Sequence, residues 1–263
     1  MESLFQHFRQ EEKEKIIFYY SKFEIASRDY YPVLLDFTDP RERKIIESIS
    51  GRFPDIKTEY YGGGLEDNHE RKRVLLVPEM LEVSRDDFEI ETVELHYPEK
   101  FVTLTHRNIL GAMMNVGVDR SKLGDIILSD HIQFAIDKNF FDLFKSELTT
   151  IKNAPIELVK IPNDEFLSAV SNTTKHSIIV SSFRLDVIVS EVLKEGRAKS
   201  KNRVTREKVK VNHALVTDPS FQVELEDVIS VRGFGRFIVS EFIHVTRKGK
   251  SRIEVLVYGL VSI

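Results

Sequence analysis

Cysteine is absent from the 263 residues. That absence removes disulfides, thiolate zinc sites, iron–sulfur ligation and cysteine nucleophiles at once. The eight histidines show no His-Glu-x-x-His or comparable ligand spacing, so no metal or other cofactor is expected. The triple glycine Gly62-Gly63-Gly64 lacks the Lys-Ser/Thr pair of a phosphate-binding loop and reads as a flexible turn. No apolar run approaches the roughly 18 residues of a membrane span. The opening stretch MESLFQHFRQEEKEK has no apolar segment flanked by basic residues, so no signal peptide and a cytoplasmic location are expected. Internal repeats and low-complexity segments are missing too. What remains, 41% hydrophobic and 30% charged residues, is the composition of a globular chain long enough for two or three domains.

Charge is unevenly spread. Residues 183–263 hold 15 Lys+Arg against 10 Asp+Glu, whereas the rest holds 23 against 32. The positive C-terminal part points to a polyanion partner such as nucleic acid. Its densest stretch, Lys194 to Lys210, has eight basic residues against Glu195 and Glu207. A solvated helix face would look the same.

Periodicity divides the chain into three parts. In the first, Ile16, Ile17, Tyr20 and Phe23 recur at helical spacing, and Tyr30-Tyr31-Pro32 ends that helix. VLLDF reads as a buried strand. Asp39-Pro40-Arg41-Glu42 carries a capping box for a second helix with Ile45, Ile46 and Ile49 inside and Gly51 at its end. IKTEYY and RVLLV follow as strands. The second part reads as strand (FEIETVELHY), helix from Thr105 with Ile109, Leu110, Met113 and Met114 as its apolar, core-facing side, strands DIILS and IQFAI, helix FFDLFKSEL, and strand IELVKI. That βαββαβ order is the ferredoxin-like plan, which hosts both RNA binders and enzymes. Residues 171–182, rich in Ser, Thr and Asn, read as a boundary, with Ile178 to Val180 as a linking strand. In the third part Leu185, Ile188, Val189, Val192 and Leu193 form an amphipathic helix. A basic segment (196–207), KVKVN and DVISVRG come next. FIVSEFIHV and RIEVLVYG then flank Arg247-Lys248-Gly249-Lys250 as a hairpin.

RLDVIVSEVL, Arg197, KVKVN and DVISVRG together resemble the S4 domain, an RNA-binding module of ribosomal proteins, pseudouridine synthases and tyrosyl-tRNA synthetases. Three further blocks extend the match. They are HERKR (His69 to Arg73), LTHRNILGAMMNVGVDRSKLGDI (Leu104 to Ile126), and VSSFRLD running on to RGFGRF (Val180 to Phe237). Over essentially its full length the chain resembles the YlmH-type S4 proteins, bacterial RNA-binding proteins encoded near cell-division genes. The resemblance implies an α+β protein: a small N-terminal α/β domain (1–80), a ferredoxin-like RNA-contacting middle domain (81–175), and an S4 domain with an appended hairpin (180–263). It further implies a role on large ribosomal subunits stalled with peptidyl-tRNA, with rRNA and tRNA as partners.

The chain departs from the family pattern at four positions. Gly196 stands where Ser is usual, Ser200 and Arg203 where a small apolar residue and Leu are usual, and Glu207 where Gly is usual. These changes bear on how the second S4 helix packs. Phosphate-binding surfaces need cations on a rigid platform. The expected RNA contacts are Arg184, Arg197, Lys199, Lys201, Arg203, Lys208, Lys210, Asn212, Arg232 and Arg236. A second site is expected at His106, Arg107 and Arg120, where a helix start offers free N–H groups. Arg232-Gly-Phe-Gly also resembles an RNP1 start, but Arg236 stands where an aromatic is needed. Arg184-Leu185-Asp186 resembles the catalytic triplet of pseudouridine synthases, yet no catalytic domain follows, and Asp186 reads as a helix-start residue favoured by the dipole. The chain therefore reads as an RNA-binding protein and not an enzyme. The alternatives are an RNA-modifying enzyme using the middle domain, and a protein-interaction adaptor in cell division.

Overall fold

The computed structural model describes residues 8, 10–65, 68–167, 173–212 and 214–258. It divides into two compact units, Met1–Val170 and Ser171–Ile263. None of the described helices is long and apolar enough to cross a membrane.

The first unit opens with helix α1 (Lys13–Asp29), which buries Ile16, Tyr19, Phe23 and Ala26. Ile17, expected inside, is half exposed. The helix ends on Tyr30 in the left-handed region, ahead of Pro32. After strand β1 (Val33–Thr38), helix α2 (Pro40–Ser50) begins with the expected capping box. The Glu42 amide donates to Asp39 Oδ1 at 2.8 Å and the Asp39 amide to Glu42 Oε2 at 2.9 Å. Strands β2 (Ile56–Tyr61) and β3 (Lys72–Pro78) complete an antiparallel sheet of order β1-β3-β2, covered by Ile16, Phe23, Ile45, Ile46 and Ile49.

The same unit then runs through β4 (Ile90–His96), α3 (His106–Asn115), β5 (Leu123–Leu128), β6 (Ile132–Asp137), α4 (Phe141–Glu147), a small ribbon β7 (Thr150–Ile151) and β8 (Ala154–Pro155), and β9 (Glu157–Ile161). The sheet order β5-β6-β4-β9, antiparallel throughout, is the ferredoxin-like plan. Ile109 and Met113 of α3, with Phe141 and Phe144 of α4, pack on Val93, Leu95, Phe134 and Ile136 of the sheet. Met113 is core, whereas its neighbour Met114 is partly exposed.

The other face of that sheet is also occupied. Phe37 of β1 and Phe166 pack on Ile127 and Ala135. A Cβ on Gly124 would lie 2.8 Å from the Phe37 ring and 2.9 Å from Ala135 Cβ, so glycine is required for this approach. Arg71 ties the layers, donating from Nε to Leu123 O (2.9 Å) and from Nη2 to Phe37 O (2.7 Å). The stretches expected as separate domains, 1–80 and 81–175, thus share apolar cores and, as far as Val170, form one unit.

The second unit is a six-stranded sheet, β10-β15-β14-β13-β11-β12, with two helices. Its strands are β10 (Thr173–Val180), β11 (Val209–Val211), β12 (Ala214–Leu215), β13 (Val228–Val231), β14 (Gly235–Val245) and β15 (Ser251–Tyr258). Helices α5 (Leu185–Leu193) and α6 (Arg197–Thr205) pack through Leu185, Ile188, Val189 and Val204 on Val209, Ile229, Phe237 and Val239. The division between the units falls at the start of the stretch expected as a boundary, 171–182, but the linking strand expected at Ile178 to Val180 is part of a longer one. Residues 171 and 172 lie outside the described residues, but Thr173–Val180 pairs along its whole length with β15 as an edge strand of this unit.

Candidate nucleic-acid interface

Helix α6 turns directly into β11, and this joint carries the basic segment. Val209 and Val211 point inward, so alternation turns Lys208 and Lys210 outward. The Arg232 amide donates to Lys208 O at 2.8 Å, which sets the β13–β14 turn beside Lys208. Arg203 Nη1 reaches Arg232 O at 3.4 Å. Strand register then extends the surface: Lys210 faces Ser230, and Ser230 faces Arg236. The Arg236 guanidinium lies 4.2 Å from the Tyr258 ring centroid. Lys201, Lys208, Lys210 and Arg232 are exposed around this row, and none of the four is ion-paired among the described residues.

The remaining expected contacts are partly spent inside the protein. The buried Asp186 carboxylate accepts Arg184 Nε at 3.0 Å and Nη2 at 3.1 Å, and Arg197 Nε at 3.2 Å. Burial pushes the Asp186 carboxyl up, but these bonds and charges outweigh it and hold the group below its ordinary value. Asp186 is therefore more than a helix-start residue; it fixes the orientation of two arginines. Arg197 remains 58% exposed on its outer side.

Glu195 plays the same part for α6. Its side chain is 8% exposed and accepts from Arg203 Nε (2.8 Å) and Ser200 Oγ (2.9 Å), with Lys199 Nζ at 3.4 Å. Burial again works against ionisation, and the partners again win, holding the carboxyl low. Ser200 is completely buried. The two positions that depart from the apolar family pattern therefore meet at one carboxylate, which replaces apolar packing by a polar network. Glu207, the third departure, has φ +57°, the left-handed conformation that glycine adopts freely. No Cβ contact is met at Gly196, the fourth.

Asn212, expected among the RNA contacts, is engaged inside the protein. Its Nδ2 donates to Asp227 Oδ1 at 2.7 Å and its Oδ1 accepts from the Val228 amide at 3.0 Å, so the side chain braces β11 against β13. One of its two amide N–H groups and one lone pair of its oxygen are thereby used internally.

The second expected site does not assemble as a trio. Thr105 and Asn108 form a capping box at the start of α3, with Arg107 exposed in the first turn and His106 half-buried. Arg120 instead turns to the carbonyls of Leu123 and Gly124. Burial, and then the neighbouring Arg71 charge, push its guanidinium down to about 10. The central part of the ferredoxin-like sheet face, on which RRM proteins stack bases, is covered here by Phe37 and Phe166.

The HERKR block is a buried tie. His69 stacks on Phe166 with ring centroids 4.9 Å apart, and its Nδ1 lies 3.6 Å from Asp125 Oδ2. Asp125 accepts the Glu70 and Arg71 amides at 2.7 and 3.0 Å. A Cβ on Gly62 would lie 2.4 Å from His69 Cβ, so this glycine stretch is a close-packed seat for the histidine and not simply a flexible turn. Sequence spacing carried a signal for one of the missed carboxylates: Glu195 stands four residues before Lys199.

Comparisons with known proteins agree with this layout. A family model described as "Putative RNA-binding domain in YlmH" matches residues 84–165, and the S4 domain model matches residues 183–229. The chain is 34% identical over 254 residues to the "Ribosome-associated protein quality control protein P2" of Bacillus subtilis (strain 168), covering 96% of this chain and 98% of that one. A solved structure, "Cell division protein ylmH from Streptococcus pneumoniae", is 29% identical with a TM-score of 0.52. That match covers 59% of this chain and 94% of the solved one.

Proposed function

Because the chain belongs to the YlmH family of S4-domain proteins, we propose that it binds structured RNA of the ribosome, contacting rRNA and tRNA on the large subunit during quality control of stalled translation. The observation that carries this reading is the row of exposed cations without an ion pair among the described residues, Lys201, Lys208, Lys210 and Arg232, on one surface of the second unit; the half-buried Arg236, over the Tyr258 ring, adjoins it. Asp186 and Glu195 make the platform rigid by holding Arg184, Arg197 and Arg203 in place. Phosphates favour clustered cations because binding releases counterions, and the anchored arginines have less side-chain freedom left to lose. The bacillar relative's name supports the ribosomal partner. In the first unit the exposed Arg107 is the matching contact, reached from the helix side of the sheet. The role is binding and placement, with no covalent chemistry assigned to this chain.

Sedimentation of cell lysate tests the ribosomal partner. The protein is expected to migrate with large subunits when translation is stalled; if it stays with free protein, the ribosomal reading is wrong. Replacing Lys201, Lys208, Lys210 and Arg232 by Ala tests the surface. Removing one phosphate-binding cation should lower the log–log salt slope by roughly 0.7 to 0.9, so the quadruple variant should drop by about 3 units. Parental affinity and slope would remove this surface from the interface. A second reading, an adaptor for cell-division proteins, is favoured by the name of the pneumococcal structure. It predicts no RNA crosslinked to the protein in cells.

A further inference from the structure

The S4 match stops at residue 229, yet the second unit continues into the β14–β15 hairpin. Phe237 and Val239 are buried, but Glu241 to Val245 are all exposed, so β14 leaves the core beyond Ser240. Register shifts between Val239 and Glu241 and between Phe242 and His244 bend the strand as it emerges. The tip is closed by three hydrogen bonds. Thr246 N donates to Lys250 O (2.7 Å), Gly249 N to Thr246 O (2.9 Å), and Lys250 N to Thr246 Oγ1 (3.1 Å). Gly249, at φ +72°, supplies the turn conformation.

This rigid tip concentrates charge. Arg247, Lys248 and Lys250 lie in the turn, and Arg252 stands opposite His244 in register. No acidic residue occurs between Glu241 and Glu254, and Glu254 is already paired with Lys175 at 3.0 Å. Among the described residues none of the four cations is ion-paired, and Arg252 Nε is buried without an acceptor. The contrast with the basic segment on α6 decides the reading. There the chain supplies its own carboxylates, Asp186 and Glu195. At the tip it supplies none, so the mutual repulsion of four cations is left for an outside anion to relieve. Phe242, Ile243 and Val245 are exposed beside them, giving the base-stacking or sugar-packing surface that RNA contacts use and a free phosphate ion does not need.

We propose that the β14–β15 tip is a second RNA-contacting element of this unit, a phosphate clamp formed by Arg247, Lys248, Lys250 and Arg252. It rests on the RNA-binding reading above and adds a separate contact. Val245 is nine steps along β14 from Arg236, which places the tip up to about 30 Å from the platform at the usual rise per residue. The tip therefore meets a different stretch of the RNA from that held by Lys208 and Lys210. Joining two modest contacts on one body raises affinity beyond either alone.

The test uses the full chain, purified large subunits as the probe, and the Arg247→Ala/Lys248→Ala/Lys250→Ala variant. These side chains are exposed, so the melting curve should not change. Binding at moderate salt should weaken on the order of tenfold or more, and the log–log salt slope should fall by roughly 2 units. Hydroxyl-radical footprinting should lose one protected RNA segment while the platform segment persists. Parental affinity, slope and footprint in the variant would overturn the clamp and leave the RNA reading standing. Absence of RNA binding by the parent would overturn that reading itself. If the substitutions abolish binding to vesicles of anionic phospholipid but leave subunit binding intact, the tip belongs to a membrane surface and the proposal fails.

Discussion

Replacing Glu195 by Ala should be among the most damaging single changes in the second unit, although the residue sits at the edge of a solvent-facing helix. The substitution leaves the Ser200 hydroxyl, at 0% exposure, without its acceptor. An orphaned buried hydroxyl costs about 1–3 kcal/mol. Arg203 loses a short charge-assisted bond but can turn toward water, adding at most about 1 kcal/mol. The expected total is about 1–4 kcal/mol, a large share of the roughly 5–15 kcal/mol of a typical domain. Hydrogen exchange followed by peptide on the full chain reads this locally: amides of 196–210 should lose protection before those of β14 and β15. The informative control is Glu195→Ala combined with Ser200→Ala and Arg203→Leu. Glu195, Ser200 and Arg203 are then all apolar, the exposed Lys199 turns to water, no buried group is orphaned, and net charge is unchanged. Stability should return to within about 1 kcal/mol of the parent, because apolar replacement of a whole buried network is often neutral. The reasoning is refuted if the single variant is as protected as the parent, or if the triple variant is no better than the single.

Three further outcomes follow from the same geometry. Asp186 and Glu195 both have carboxyls held below their ordinary values. Their contribution is fully present above the unfolded values of about 3.9 and 4.3 and is lost as pH falls through the lower folded values. Urea midpoints between pH 5 and pH 3 should therefore drop more steeply in the parent than in Asp186→Asn/Glu195→Gln. Glu207→Gly should leave the melting temperature equal or higher, since left-handed strain is relieved, whereas Glu207→Val should cost about 1–2 kcal/mol by calorimetry. Gly124→Ala forces a methyl against Phe37 and Ala135 and should destabilise the first unit by about 1–3 kcal/mol in denaturant titrations; an unchanged midpoint would mean the sheet face is not closely covered.

Local chemistry was readable from the residues, and long-range partnership was not. The capping box at Asp39 and Glu42 is complete within four residues, and the ferredoxin-like order is visible because period 2 in FEIETVELHY and period 3.6 around Ile109 and Met113 belong to single elements. The edge strand β10 reads as a boundary because Thr174, Lys175, His176 and Ser177 are exposed and leave the apolar alternation to Ile178 and Val180. The ribbon β7–β8 is too short to carry any period. Fusion of the first two expected domains depends on Phe37 meeting Ala135, nearly a hundred residues away in sequence, which no local pattern encodes. Counting cations picks out the basic segment but does not show which of its members are held by carboxylates. Arg184, Arg197 and Arg203 proved to be engaged by carboxylates, while Lys208, Lys210 and Arg232 are not. Arg197→Glu is for that reason a poor probe of RNA binding, since it sets a second carboxylate against buried Asp186.

The aromatic ring of Phe37, seated over Gly124 and Ala135, has a consequence for modularity. Domain shuffling works with pieces whose outer surfaces are already finished. The ferredoxin-like half of the first unit is unfinished without β1: a fragment beginning at residue 81 would carry Gly124, Ile127 and Ala135 as an open apolar seam. A part moved, fused or expressed from that side of the chain therefore has to include β1 with its Phe37 to keep this seam covered.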